Sequence, residues 1–110
     1  MRGYFADELL LMLPLYDTPG VRLRGEVFSS HRGPLALVLT EEAARTDEIV
    51  LDLTDVRFIS NAILDILTVL ARRLAPPQCL LVRANADLEL RERTAARGWN
   101  EIATVRLEES

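Results

Sequence analysis

Few residues in this chain have types that can do chemistry. All 13 basic residues are arginine. Without a lysine there is no amine for a Walker-type phosphate contact, a Schiff base or a lysine general base. The single cysteine, Cys79, and the single histidine, His31, cannot assemble a Cys/His zinc site within one chain, and no intrachain disulfide can form. No metal or cofactor is therefore expected. A Ser/His/Asp set can be drawn around His31, but no serine stands in a Gly-x-Ser-x-Gly turn, so no enzymatic activity is expected. Asp52, at the carboxyl end of an apolar run, could accept a phosphoryl group only beside a lysine able to hold the phosphoryl oxygens. What remains is polar residues at regular spacing. Asn61, Asp65, Thr68 and Arg72 fall at i, i+4, i+7 and i+11, one stripe of an ideal helix opposite its apolar face. That stripe is a candidate partner surface; the plainer alternative is a solvated face carrying an Asp65–Thr68–Arg72 polar ladder. Ser60, just before it, reads as the helix N-cap.

The elements that must hold this stripe can be read from periodicity. Leu9 to Tyr16 and Val21 to Phe28 are β-like runs joined by Asp17-Thr18-Pro19-Gly20, a turn signal, so they form a hairpin. In the second run Val21, Leu23, Gly25 and Val27 alternate with Arg22, Arg24 and Glu26, as in a strand with one wet face. Ser29, Ser30 and His31 offer N-caps for a first helix from Leu35 through Ala44, ending near Arg45. Ile49 to Leu53 is the continuous apolar run of a strand buried on both faces. A loop, Thr54 to Ser60, leads into the helix from Asn61 to Leu74, which Ala75-Pro76-Pro77 ends. Cys79 to Val82 repeats the buried-strand pattern, Asp87 to Arg97 reads as a third helix closed by Gly98, and Ile102 to Leu107 as a last strand. Trp99 and Cys79 read as core or core-edge residues. The order β-β-α-β-α-β-α-β predicts an α/β fold: a mixed, mostly parallel sheet with an N-terminal β-hairpin and helices packed on it.

The segment Ile49-Val50-Leu51-Asp52-Leu53-Thr54-Asp55-Val56-Arg57-Phe58-Ile59-Ser60-Asn61-Ala62-Ile63-Leu64 resembles the core motif of the STAS domain, the family of bacterial anti-sigma factor antagonists. Leu23-Arg24-Gly25-Glu26-Val27 is similar to the family's second strand, and Gly98 to its helix-Gly ending; the likeness spans Leu9 to Leu107. It implies a non-catalytic binding module that regulates transcription by docking onto an anti-sigma factor and freeing the sigma factor. In the family, phosphorylation of a serine at the start of the second helix ends that state. Here Asn61 takes the phosphoacceptor's place and Ser60 that of the acidic residue before it. Asparagine has no hydroxyl, so the added charge of about −1.5 to −2 that drives such a switch cannot arrive at position 61. Ile63 replaces the family's glycine and Asp65 a small residue, which removes the close backbone approach that glycine allows. The resemblance makes Ser60, Asn61, Ala62, Asp65, Thr68 and Arg72 the expected partner-binding residues. Ser30 and His31, on the neighbouring edge, join them. Ser60 is a substitute phosphoacceptor only if it is not a cap. The alternatives are a STAS domain sensing a nucleotide or small molecule in a cleft between the motif loop and the first helix, or a STAS scaffold subunit of a regulatory or transport complex.

The bulk properties agree with such a module. A chain of 110 residues with 49% hydrophobic residues and a net charge of −4 suits one globular domain over residues 1–110, with residues 1–7 flexible. An isoelectric point near 5.0 and scattered arginines lack the footprint of a nucleic-acid binder. The apolar stretch Leu9 to Leu15 is interrupted by Pro14 and far shorter than the roughly 20 residues of a membrane span. Asp7 and Glu8 stand where a signal peptide would carry basic residues, so the expected location is the cytoplasm, without membrane insertion. The expected partner is an anti-sigma factor or a related regulatory protein, with a homodimer allowed.

Overall fold

A computed structural model describes residues 5–16 and 18–110. Six strands form one sheet in the order β1-β2-β3-β4-β5-β6: β1 (Phe5–Ala6), β2 (Leu10–Pro14), β3 (Gly20–Val27), β4 (Glu48–Ile59), β5 (Cys79–Ala84) and β6 (Val105–Glu109). The first three pair antiparallel, and β3 to β6 pair in parallel. Each parallel step is bridged by a helix: α1 (Arg32–Ala43), α2 (Asn61–Arg73) and α3 (Leu90–Ala95). This is the expected mostly parallel α/β sheet with its N-terminal hairpin. No helix among the described residues is long and apolar enough to cross a membrane.

The period of two along the strands divides the sheet into unlike faces. Leu23, Leu51, Leu53, Ile59, Leu80 and Val82 join Leu35, Ile63, Leu67 and Leu90 from the helices in one core cluster. The other face carries a cross-strand row in which register sets Arg22 beside Asp52, Asp52 beside Arg83 and Arg83 beside Glu108. Arg22 pairs with Asp52 at 3.3 Å and Arg83 with Glu108 at 3.2 Å. Val50 and Leu81 are buried outside the main cluster. They stand two positions before Asp52 and Arg83, on that second face, where long arginine stems can shield them.

Several boundaries differ from expectation, each for a local reason. Residues 5–7 are not a free leader: Phe5 and Ala6 pair with β2, and Asp7 accepts hydrogen bonds from the Leu9 and Leu10 amides; residues 1–4 lie outside the description. The turn residue Asp17 also lies outside it. Thr54 to Ile59 is strand rather than loop, because β4 continues along β3 after its pairing with β5 ends at Asp52. Register shifts after Arg22 and Gly25 accommodate that extension. The third helix is shorter than read, since Glu89 takes a left-handed conformation (φ 55°) that separates a 3₁₀ turn at Ala86–Leu88 from α3. The last strand begins at Val105 rather than Ile102, after a second 3₁₀ turn at Trp99–Glu101.

Gly25 is the position where backbone freedom decides a register. Its φ is 111°, and a Cβ there would collide with the Leu9 carbonyl oxygen. Gly33, near the start of α1, has nothing within 4 Å of a Cβ. Gly25→Ala should therefore lower stability by about 1–3 kcal/mol from backbone strain alone. Gly33→Ala should raise it by roughly 0.5–1 kcal/mol through helix propensity. Urea unfolding of the two variants checks both signs, and equal midpoints would contradict the assignment.

Candidate functional site

Asn61 opens α2 at the place where β4 ends, and its neighbours come from α3. Arg93 sends Nη2 to the carbonyl oxygen of Ile59, the last residue of β4, at 2.6 Å and to Asn61 Oδ1 at 2.9 Å. Its Nη1 reaches the Leu88 carbonyl oxygen at 3.2 Å. Guanidinium offers only donors, so the Asn61 amide must turn its oxygen inward and leave its NH₂ group to the surface. Arg97, in the turn after α3, donates through Nε to Asp65 Oδ1 at 2.8 Å and through Nη1 to the Arg93 carbonyl oxygen at 2.9 Å. Trp99 donates its indole N–H to Thr68 Oγ1 at 2.8 Å, while that hydroxyl donates to the Leu64 carbonyl oxygen at 2.7 Å. Burial, and secondarily the Arg97 charge, pulls the Arg93 pKa below its ordinary value, with Glu89 opposing.

The stripe is thus one face of α2, as its spacing requires, but it is not a free ladder. Its first three members each face a partner on the following segment, Asn61 with Arg93, Asp65 with Arg97 and Thr68 with Trp99. The alternative Asp65–Thr68–Arg72 ladder does not form, since the Thr68 hydroxyl donates to Leu64 and accepts from Trp99. Asn61, Asp65 and Arg72 keep exposed side surfaces, and Ala62 is half-buried beside them. Arg72 enters no ion pair among the described residues, and its Nη2 would lie 3.5 Å from a Cβ at Gly98.

Ser60 is the N-cap residue of α2, as read, but its side chain makes no capping bond. It holds the N-cap position with extended backbone, and its carbonyl oxygen accepts the Ile63 and Leu64 amides at 3.1 and 3.3 Å. Its hydroxyl caps nothing: Oγ is buried and has no hydrogen-bond partner among the described residues. A hydroxyl so enclosed is closed to an incoming kinase in this conformation.

His31, which the sequence offers as an N-cap and a partner-binding residue, holds the N-cap position of α1 but is 2% exposed, so its ring presents no surface to a partner. Ser29 and Ser30 lie exposed in a 3₁₀ turn with His31, and none of the three caps α1 through a side chain. The Phe28 N–H donates to His31 Nδ1 at 2.9 Å, so that nitrogen carries no proton. The proton sits on Nε2, 2.7 Å from Asp7 Oδ2, to which it is donated. With both ring nitrogens engaged, His31 has no lone pair free to deprotonate a nucleophile. Phe5 meets the ring edge-on at 5.6 Å, Phe28 lies 6.3 Å from it, and Phe28 in turn stacks with Phe58 at 5.1 Å.

Asp52 is structural. Burial pushes its carboxyl upward, but Thr54, through its hydroxyl at 2.6 Å and its amide at 2.9 Å, outweighs this with help from Arg22 and holds the pKa below the ordinary value. Among the described residues no group of three or more His, Cys, Asp or Glu side chains could hold a metal ion.

Arg93, Arg97 and Asp7 were not singled out from sequence. The first two carried a signal: their i, i+4 spacing matches that of Asn61 and Asp65, as two helices running in the same direction require. Asp7 carried none, since its partner lies 24 residues away.

Two outcomes follow from these contacts. Thr68→Val leaves the buried Trp99 N–H without an acceptor and should cost about 1–3 kcal/mol in urea unfolding, whereas Asp65→Ala, which removes only an exposed ion pair, should cost less than about 1 kcal/mol. The His31 hydrogen bond, followed by the Leu9 and Leu10 amides, holds the Asp7 pKa below the usual carboxylate value. Such a group stabilises fully above its unfolded pKa, about 3.9, and the contribution disappears as pH falls through the lower folded value. The stability difference between wild type and Asp7→Ala should therefore shrink as pH falls below about 4 and Asp7 takes up its proton; a difference that stays unchanged from about pH 4 down to about pH 2 would contradict the pairing. No family model and no curated protein matches this chain.

Proposed function

We propose that this chain is a non-catalytic protein-interaction module of the STAS type, acting like an anti-sigma factor antagonist that stays in its unphosphorylated form. The observation that carries the reading is Asn61 at the exposed start of α2, with its amide oxygen held by Arg93 and no hydroxyl to receive a phosphoryl group. The adjacent Ser60 hydroxyl is buried, which supports the same conclusion for the one nearby alternative acceptor. The occupied ring of His31 supports a surface that binds rather than one that catalyses. The docking face then comprises the outward sides of Asn61, Ala62, Asp65 and Arg72 together with the α3 arginines beside them.

The charge pattern of this face sets the test. An anti-sigma factor offered to the purified chain should bind whether or not ATP is present and leave no phosphate on it. Asp65→Arg combined with Arg72→Glu should weaken that binding at least tenfold while circular dichroism stays unchanged. Equal binding by the double variant would remove this face as the interface, and phosphate found on Ser60 by mass spectrometry would contradict the fixed state.

A further inference from the structure

At the end of α2 remote from Asn61 lies a cleft of about 260 Å³ lined by Leu39, Thr40 and Ala43 of α1, Leu70 and Arg73 of α2, and Leu74, Ile49, Gln78 and Leu80 below them. Its walls are chiefly aliphatic. Gln78 Nε2 donates to the Ala43 carbonyl oxygen at 2.9 Å, and the Cys79 amide to the Asp47 carbonyl oxygen at 2.7 Å. The first bond ties the end of α1 to the residue before β5, and the second ties the start of β5 to the residue before β4. At the rim stands Arg73, an exposed guanidinium that forms no ion pair among the described residues.

We infer that this cleft binds a medium-chain aliphatic monocarboxylate, its chain among Leu39, Ala43, Leu70, Leu74 and Leu80 and its carboxylate on Arg73. The volume bounds the length: a partly open cleft of about 260 Å³ admits a ligand on the order of ten non-hydrogen atoms, such as an eight-carbon acid. The charge sets the head group, because a planar guanidinium matches a carboxylate in a two-pronged geometry and a single cation at an otherwise aliphatic mouth balances one negative charge. The aliphatic lining disfavours a strongly hydrated di-anion. This site does not depend on the docking reading, since it uses none of the same residues.

The test is a titration of isotope-labelled protein with sodium octanoate and, separately, 1-octanol, followed by amide chemical shifts. Octanoate below its aggregation concentration should give saturable shifts centred on Ala43, Leu70, Leu74 and Gln78. Arg73→Gln, a change at an exposed side chain, should weaken octanoate about tenfold and leave octanol unchanged. Ala43→Leu, which fills the cleft, should abolish both while the dispersed spectrum is kept. Absence of saturable shifts, shifts centred elsewhere, binding only above the aggregation concentration, or octanoate affinity unaltered by Arg73→Gln would each overturn the assignment.

Discussion

The guanidinium of Arg93 closes the molecule at the point where β4 passes into α2. A parallel sheet built by successive crossovers brings the carboxyl end of each strand to one edge, where backbone carbonyls and helix starts converge. At that edge the Ile59 carbonyl oxygen, the last of β4, has lost its neighbour, because β5 pairs only as far as Asp52. One arginine on α3 answers for that carbonyl, for Leu88 and for the amide of Asn61 together. The contact orients Asn61 and joins α3 to the start of α2, beside the core packing of Leu88, Leu90 and Trp99. Hydrogen bonds from a charged donor are worth about 1.5–3 kcal/mol each in favourable settings, which is ample to fix one short helix.

A second fixed point lies on the hairpin side. His31 is buried as a neutral ring with a defined proton position, and Asp7 links it to the edge strand, so β1 is fastened to the start of α1 rather than merely paired with β2. Phe5, His31, Phe28 and Phe58 continue this into an aromatic row ending at Phe58, the residue that precedes Ile59. The β4–α2 junction is therefore gripped from both directions, by aromatic rings on one side and by Arg93 on the other. A loop gripped in this way presents a preformed surface, and preformed surfaces lose less entropy on binding. That fits a module whose contribution is recognition.

Much of the fold was legible because local signals and global layout agree. The alternation of Val21, Arg22, Leu23 and Arg24, the apolar run at Ile49 to Leu53 and the helical spacing from Asn61 to Leu74 each match a single element. Illegible were the features decided by partners distant in sequence. Thr54 to Ile59 is strand only because β3 is long enough to pair with it, and its irregular exposure, broken by register shifts, hides the period of two. Ser60 has the residue type and position of a cap, but its hydroxyl is enclosed and unused. The stripe on α2 was correctly grouped, since helical geometry alone decides which residues share a face. What it faces was not, since that depends on Arg93, Arg97 and Trp99, about 30 residues further on.

The central claim is that the start of α2 is a docking surface held in one state by Asn61 and Arg93. Hydrogen–deuterium exchange of the chain with an anti-sigma factor, with and without ATP, addresses it most directly. The account predicts slowed exchange over residues 59–66 and 90–97 on complex formation, to the same extent whether ATP is present or absent. Protection confined to other segments, or protection of these residues that ATP abolishes, would contradict it.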